Sequence, residues 1–152
     1  MTGRIILKTD GGFLMTQIKQ VGGRIFEKLL AGAGVEAFNG AQGRILYVLW
    51  QNDNIPIIDL SRKTGLAKTT LTGMLDRMEE AKLITRVFDQ ADRRQIRIVL
   101  TETAKALSDE YENVSEQMNE VYYAGFTEEE ITLFENTLRR VLTNLQEKEN
   151  LL

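Results

Sequence analysis

The chain has 152 residues, a formal net charge of −3 and 43% hydrophobic side chains, a composition typical of about one folded domain. It contains no cysteine and no histidine, which excludes disulfides and thiolate metal sites and removes the commonest general base. Its apolar runs are much shorter than the roughly 18 to 20 residues of a membrane span, and its N-terminal apolar stretch is too short for a secretory signal. We therefore expect a cytoplasmic protein without a cofactor or a membrane contact.

The first predicted helix begins at Phe13, after residues 1–12, which we expect to form a flexible arm. A loop follows this helix, and Asn39 is placed to cap a second helix that runs to about Gln51. In the second helix, Tyr47 and Trp50 are interpreted as core side chains or, alternatively, as the lining of a ligand pocket. The apolar residues of the first helix recur every three or four positions, as on one face of a helix: Leu14, Ile18, Val21, Ile25 and Leu29.

The next segment has the pattern of a helix-turn-helix. Residues 55–57 are predicted to form a short edge strand, because Pro56 cannot donate to an interior ladder. A first helix, residues 58–64, ends at Gly65, which tolerates a left-handed turn. The second helix runs over residues 68–81. Its predicted buried residues have the spacing i, i+3, i+4, i+7: Leu71, Met74, Leu75 and Met78.

The opposite face of the second helix is the strongest evidence of function at the level of single residues. It presents Thr69, Thr72, Gly73 and Asp76, where a purely structural helix usually presents long charged side chains, and it begins with Lys68 against the helix dipole. Short hydroxyl side chains let a helix approach base edges, and a cation at its start suits a phosphate. The alternative is a solvent-exposed, threonine-rich helix.

A β-hairpin is predicted over residues 83–100, because apolar and polar residues alternate in its second strand. Its tip carries Arg93 and Arg94, which are suited to a narrow minor groove of DNA, and Asp92 can hold a guanidinium by a bidentate pair. Alternatively, Asp89 and Asp92 only form the turn and the arginines are solvated.

Charge supports a nucleic-acid partner. Residues 61–101 carry nine basic and five acidic side chains, or +4, whereas residues 102–152 carry four basic and twelve acidic ones, or −8. A basic segment can bind phosphates while the acidic remainder repels DNA from the other face. The alternative is that the basic segment is simply a solvated surface.

The C-terminal part predicts two further helices. Thr101 opens a long one with a 3-4-3-4-3 apolar spacing, and residues 127–130 form a capping box for the last one. A small core cannot cover these stripes and that of the first helix, so we expect them to pack across a twofold axis in a homodimer; the alternative is an intramolecular bundle. The predicted interface residues are Leu14, Ile18, Val21, Ile25, Tyr111, Val114, Met118, Val121, Phe134, Leu138, Val141 and Leu145.

Two segments resemble the MarR (multiple antibiotic resistance regulator) family of winged-helix transcription factors. Residues 92–101 are similar to that family's wing and residues 70–77 to its recognition helix, and the helix order agrees over about residues 13–145. The resemblance implies a mainly α fold with a small β-wing (α+β), that is, a winged helix-turn-helix with long dimerisation helices. It also implies an obligate homodimer on a palindromic operator, usually a repressor, that is released by a small, commonly aromatic or phenolic ligand.

Three positions depart from the family's pattern. Ala67 replaces the usual hydroxyl helix cap, Lys82 replaces a glycine before the wing, and Ala104 replaces a glycine that commonly follows it. We expect the first change to weaken capping by about 1 kcal/mol and the second to force a positive φ on Lys82. None of the three removes a predicted DNA contact.

We therefore predict a DNA-binding region at residues 37–100, with its recognition helix at 68–81 and its wing at 83–100, and a helical dimerisation region at residues 13–36 and 101–148. The expected partners are double-stranded DNA, a second copy of the chain and a small-molecule effector. The predicted DNA-binding residues are Arg62, Lys68, Thr69, Thr70, Thr72, Gly73, Arg77, Arg86, Asp92, Arg93 and Arg94, with Arg62 and Arg86 on phosphates.

Two other functions are considered. One is a winged-helix module that binds protein and not specific DNA sequences. The other is an enzyme that uses Asp89 and Asp92, its only paired carboxylate candidates; because no base, nucleophile or phosphate loop accompanies them, we expect that the protein is not an enzyme.

Overall fold

The computed structural model describes residues 8–152 and shows the predicted fold class, a mainly helical chain with one small antiparallel sheet. Most of the predicted arm, residues 1–12, lies outside the described residues, and the first helix already begins at Gly11. The described elements are, in order, α1 (Gly11–Gly32), α2 (Gly40–Gln51), β1 (Ile55–Pro56), α3 (Ile57–Thr64), α4 (Lys68–Glu80), β2 (Ile84–Phe88), β3 (Ile96–Leu100), α5 (Glu102–Lys105), α6 (Ser108–Tyr122) and α7 (Glu128–Leu151). None of these helices is long and apolar enough to cross a membrane.

Several helices begin or end at the predicted residue for the predicted reason. The Asn39 side chain accepts a hydrogen bond from the backbone N–H of Gln42 at 2.8 Å, and the Gln42 side chain accepts one from the N–H of Asn39 at 3.1 Å. Thr127 and Glu130 form the same reciprocal capping box at the start of α7. Gly65, with a φ of 75°, ends α3 in the left-handed region.

The end of α4 confirms the positive φ expected at Lys82, which is 62°. The backbone N–H of Leu83 donates back to the carbonyl of Met78 at 2.9 Å, which satisfies a helix-end carbonyl across the left-handed residue. Thr101 also holds the backbone of Lys82, because its hydroxyl donates to the Lys82 carbonyl at 2.7 Å. The wing therefore leaves α4 in a defined direction without the family's glycine.

The sheet has the order β1-β3-β2, with both pairs antiparallel. Ile55 lies opposite Ile98 and Ile84 lies opposite Leu100, so β1 is the edge strand that Pro56 predicted. Ile98 and Leu100 face the core, which confirms the alternation predicted for the second strand of the wing.

The described residues form two compact units that divide after Met118, within α6. The core of the first unit is apolar. Most of its fully buried side chains come from α2, α3, α4 and the sheet, and α1 and α6 add Leu30 and Val114. In the second unit, the hydroxyl of Tyr123 donates to Glu135 at 2.6 Å, and its ring packs edge-on against Phe126 and Phe134. Burial, and then this hydrogen bond, raise the pKa of Tyr123 to about 12.

The single long helix predicted after Thr101 is wrong, because Ala106 and Leu107 separate α5 from α6. Thr101 does cap α5, accepting from the N–H of Ala104 at 3.2 Å. However, the carbonyl of Ala104 accepts from the indole Nε1–H of Trp50 at 2.9 Å and from the N–H of Leu107 at 3.1 Å. In a continuous α-helix this carbonyl would accept from the backbone N–H four residues onward. Here it accepts instead from Trp50, which is 54 residues away in sequence.

Three residues predicted for the dimer interface, Tyr111, Val114 and Met118, instead lie in the core of the first unit. The ring of Tyr111 lies 5.4 Å from that of Trp50 and 5.8 Å from that of Phe26, within one aromatic cluster. Because these side chains are buried by their own chain, they are not available to a second copy.

Candidate nucleic-acid interface

The two faces of α4 are those predicted from the sequence. Leu71, Met74, Leu75 and Met78 are buried, whereas Thr69, Thr72, Asp76 and Arg77 are exposed. Ala67 makes no side-chain cap, as expected, and no acidic residue lies in the first turn. The hydroxyl of Thr72 donates to the carbonyl of Lys68 at 2.8 Å, so its oxygen lone pairs remain free to accept from a base or a bound water.

Gly73 lies on the outward face of α4, and the fold does not require a glycine at this position. Its φ is not in the left-handed region, and a Cβ built on it would meet nothing within 4 Å. A glycine inside a helix nevertheless lowers stability by roughly 0.5 to 1 kcal/mol relative to alanine. Because Gly73 has no side chain, the outer face of α4 is recessed at this position, and the fold itself gains nothing from it.

Arg86 has a structural role in place of the predicted phosphate contact. Its guanidinium lies 2.5 Å from Oδ1 of Asp76 and 3.4 Å from Oε1 of Glu79, two carboxylates of α4. It also donates to the carbonyl of Thr72 at 3.4 Å. Because two carboxylates neutralise its charge and only 25% of its side chain is exposed, Arg86 braces β2 against α4 and is not a free phosphate ligand.

The wing tip contains the predicted bidentate pair. Nε of Arg94 donates to Oδ1 of Asp92 at 3.0 Å and Nη2 donates to Oδ2 at 3.2 Å, while the Arg94 backbone N–H also donates to Oδ1 at 3.1 Å. The Arg94 side chain, and next its backbone N–H, hold the pKa of Asp92 below its ordinary value. Arg93 is exposed beside them. Asp92 therefore fixes a guanidinium that is almost entirely in solvent.

Asp89 is a turn former, as the alternative hypothesis held, and it also makes an ion pair that the sequence did not predict. It accepts from the N–H of Ala91 at 2.8 Å and from Nη1 of Arg97 at 3.0 Å. These two contacts, in that order, hold the pKa of Asp89 below its ordinary value. The partner of Arg97 was missed because neither charge pattern nor strand period shows which residue it faces.

A concave surface of about 370 Å³ joins α4 to the wing. Lys68 from the start of α4 and Arg94 from the wing tip both line it, together with Thr72 and Arg86. Its apolar part comes from the start of α3 and from Ile96. The concave surface therefore lies between the two elements that carry the predicted base and groove contacts.

The predicted ligand-pocket residues, Tyr47 and Trp50, line neither this surface nor a second cavity of about 360 Å³ where α1 ends and α2 begins. Both aromatic rings instead pack on Tyr111, and Trp50 also holds the carbonyl of Ala104. Trp50 packs against the core, as the other interpretation held, and the assignment of Tyr47 and Trp50 to a ligand pocket stays a prediction. The second cavity is lined by Glu27, Leu30, Ala31, Val35, Glu36, Ala37, Phe38, Asn39 and Gln42.

Comparison with known proteins gives consistent results. The sequence profile of the MarR family matches residues 38–96. An uncharacterized HTH-type transcriptional regulator of Bacillus subtilis (strain 168), YsmB, is 33% identical over 100 residues, which cover 66% of this chain and 68% of YsmB.

Two solved structures share the fold. A mutant MarR from E. coli, complexed with operator DNA, has a TM-score of 0.76 at 22% identity and covers 86% of this chain and 92% of its own. BpsR of Bordetella bronchiseptica, whose DNA binding is regulated by 6-hydroxynicotinic acid, has a TM-score of 0.78 at 23% identity. The match covers 93% of this chain and 97% of BpsR.

Proposed function

Because this chain belongs to the MarR family of DNA-binding transcriptional regulators, we propose that α4 enters the major groove of DNA and that the wing tip contacts the flanking minor groove. Members of the family are regulators and not enzymes. The residues proposed to contact DNA are Arg62, Lys68, Thr69, Thr70, Thr72, Gly73, Arg77, Arg93 and Arg94, with Asp92 holding Arg94 in place.

The single observation that carries this proposal is that Arg94 is exposed to solvent and yet held in place by Asp92. Its side chain is 91% exposed, yet Asp92 holds three of its N–H groups. An exposed arginine normally loses several rotameric degrees of freedom when it binds, and this cost falls when the bound geometry is already fixed. A preformed guanidinium at the tip of a wing suits the narrow minor groove, where the potential is most negative.

We propose that the chain binds DNA as a homodimer. Large apolar side chains remain exposed on α1, at Leu14, Ile18 and Val21, and on α7, at Phe134 and Leu138. Exposed apolar patches on a soluble protein commonly mark interaction surfaces, so a second copy is the expected cover for each of these two helices. Two copies of α4 would then enter successive major grooves about 10 bp apart on a palindromic operator.

We further propose that the protein acts as a repressor that a small ligand releases from DNA. The family resemblance and the reported regulation of BpsR by 6-hydroxynicotinic acid support a ligand-responsive protein. In this chain the cavity between α1 and α2 is large enough for a small aromatic molecule, and Phe38 and Leu30 suit its ring. Because Glu27 and Glu36 also line the cavity, a neutral or cationic ligand fits it better than a carboxylate.

Selection of duplexes from a random DNA pool by the full chain tests the proposal. We expect enriched sequences to be inverted repeats whose half-sites lie about 10 bp apart. Leu138→Glu, which places a charge on the exposed face of α7, should abolish the fixed spacing and reduce the mass in light scattering to that of one chain. Thr143→Glu, a charge on an exposed polar position of α7, is the matched control. No enrichment, with no binding to random duplexes at low salt, would favour the protein-binding module instead.

A further inference from the structure

The corner between α2 and β1 is fixed to the central strand of the sheet. Oδ1 of Asp53 accepts from the backbone N–H of Leu100 at 2.9 Å and from that of Asn54 at 2.8 Å. Asn54 has a φ of 56°, a left-handed conformation that asparagine tolerates better than most residues. These contacts give the corner one defined geometry, in which the side-chain and backbone oxygens of Asn54 are both available to Arg97.

Arg97 of β3 connects this corner to the wing turn. Its Nε donates to Oδ1 of Asn54 at 2.8 Å, its Nη2 donates to the Asn54 carbonyl at 2.5 Å, and its Nη1 donates to Oδ2 of Asp89 at 3.0 Å. The side chains of Arg97 and Asp89 are only 29% and 16% exposed. Three of the five donors of the guanidinium are therefore occupied within the chain, in a partly shielded place.

Asp89 also contacts the backbone of the turn at the wing tip. Its other oxygen, Oδ1, accepts from the backbone N–H of Ala91 at 2.8 Å and of Asp92 at 3.3 Å. The carboxylate of Asp92 in turn holds Arg94. An unbroken series of hydrogen bonds thus runs from Asn54 through Arg97, Asp89 and Asp92 to the exposed guanidinium of Arg94.

We propose that Arg97 and Asp89 are positioning residues for Arg94, which they hold in its DNA-contacting place by tying the wing turn to the α2–β1 corner. This inference rests on the proposed DNA contact of Arg94. Neither residue needs to touch DNA itself, since Arg97 acts through Asp89 and Asp89 acts through the turn.

The competing account is purely electrostatic. If Arg97 contacted a phosphate directly, its charge alone would matter, and lysine would substitute for it. Asp89 would then be an unfavourable negative charge near DNA, and its neutralisation would tighten binding through counterion effects. The positioning account predicts the opposite sign for Asp89→Asn, because the asparagine loses the ion pair with Arg97.

The experiment measures the affinity of the full chain for a duplex selected by the wild-type protein, by fluorescence anisotropy. Asp89→Asn keeps an oxygen for the N–H of Ala91, and Arg97→Lys keeps the positive charge but not the fork. We expect each to weaken binding by about fivefold, with thermal melting showing both folded. Glu80→Gln is the matched charge control: Glu80 is exposed and makes no ion pair within 4.0 Å in the part of the chain that the structure describes, so this variant should bind as tightly as wild type or slightly more tightly.

A double variant separates positioning from a general structural defect. In an Arg94→Ala background, Asp89→Asn should produce no further loss, because the group that it positions is gone. An unchanged additive loss there, or tighter binding of Asp89→Asn alone, would overturn the inference while leaving the proposed function intact. If Arg94→Ala itself bound like wild type, the proposed wing contact would fail and the inference with it.

Discussion

The arginines of the wing differ in what they can offer to DNA. Arg86 and Arg97 are partly buried and paired with carboxylates, so their charges are largely neutralised within the chain. Arg94 is paired as well, but its guanidinium lies in solvent at the tip. All three residues are arginines, so the sequence alone does not separate their roles. Only the side chains around each one show whether it pairs within the chain or is exposed to DNA.

The carboxylates of the wing give a prediction about pH. The pKa of Asp89 is lowered from its ordinary 3.8, first by the N–H of Ala91 and then by Arg97, and that of Asp92 is lowered mainly by Arg94. A carboxyl with a lowered folded-state pKa contributes stability that is complete above its unfolded pKa and is lost as the pH falls through the folded value. Both wing pairs should therefore stay intact until the pH falls below about 3.8.

We accordingly expect the affinity for DNA, at constant ionic strength, to stay level between about pH 8 and about pH 5. The chain has no histidine that would titrate in this range. Anisotropy titrations at fixed salt measure this directly. A fall in affinity with a midpoint above about pH 5 would contradict the assignment of the wing pairs.

At the scale of one element, α4 is a helix whose outer face is better suited to a partner than to its own stability. It has no N-terminal side-chain cap, no acid in its first turn and a glycine on its exposed face. Each of these features weakens an isolated helix by about 0.5 to 1 kcal/mol. We interpret Gly73 as the place where the helix approaches DNA most closely.

Gly73→Ala tests that interpretation. The variant should raise the free energy of unfolding by about 0.5 to 1 kcal/mol, because alanine favours the helix and its Cβ meets nothing in the chain. It should also weaken DNA binding by about fivefold or more, the effect of roughly 1 kcal/mol of steric misfit. Gly23→Ala in α1, where a Cβ also meets nothing within 4 Å, is the control for stability without a loss of affinity. Unchanged affinity of Gly73→Ala would remove the close approach.

Local chemistry explains which features of these elements were predictable. The caps at Asn39, Gly65 and Thr127 depend on one residue and its immediate neighbours, and all three are as the sequence indicated. The break between α5 and α6 depends on Trp50, which is far away in sequence, so periodicity alone gave a continuous helix.

At the scale of the whole molecule, the same apolar spacing can serve a core or an interface. Tyr111 and Val121 lie on one predicted stripe, yet the first is buried in its own chain and the second is 51% exposed. A sequence pattern records that a face is apolar and not what covers it. Helical geometry alone was enough to predict which face of α4 is exposed, whereas the ion pairs of Arg86 and Arg97 could be found only from the structure.

The most direct test of the account is the salt dependence of DNA binding for Arg94→Ala. Arg44→Ala is its matched control, because Arg44 is an exposed arginine of α2 outside the proposed contact surface. We predict that Arg94→Ala binds more weakly and that its plot of log affinity against log salt concentration is shallower by about one unit, while Arg44→Ala keeps the wild-type slope. Equal affinity and equal slope for the two variants would contradict the account.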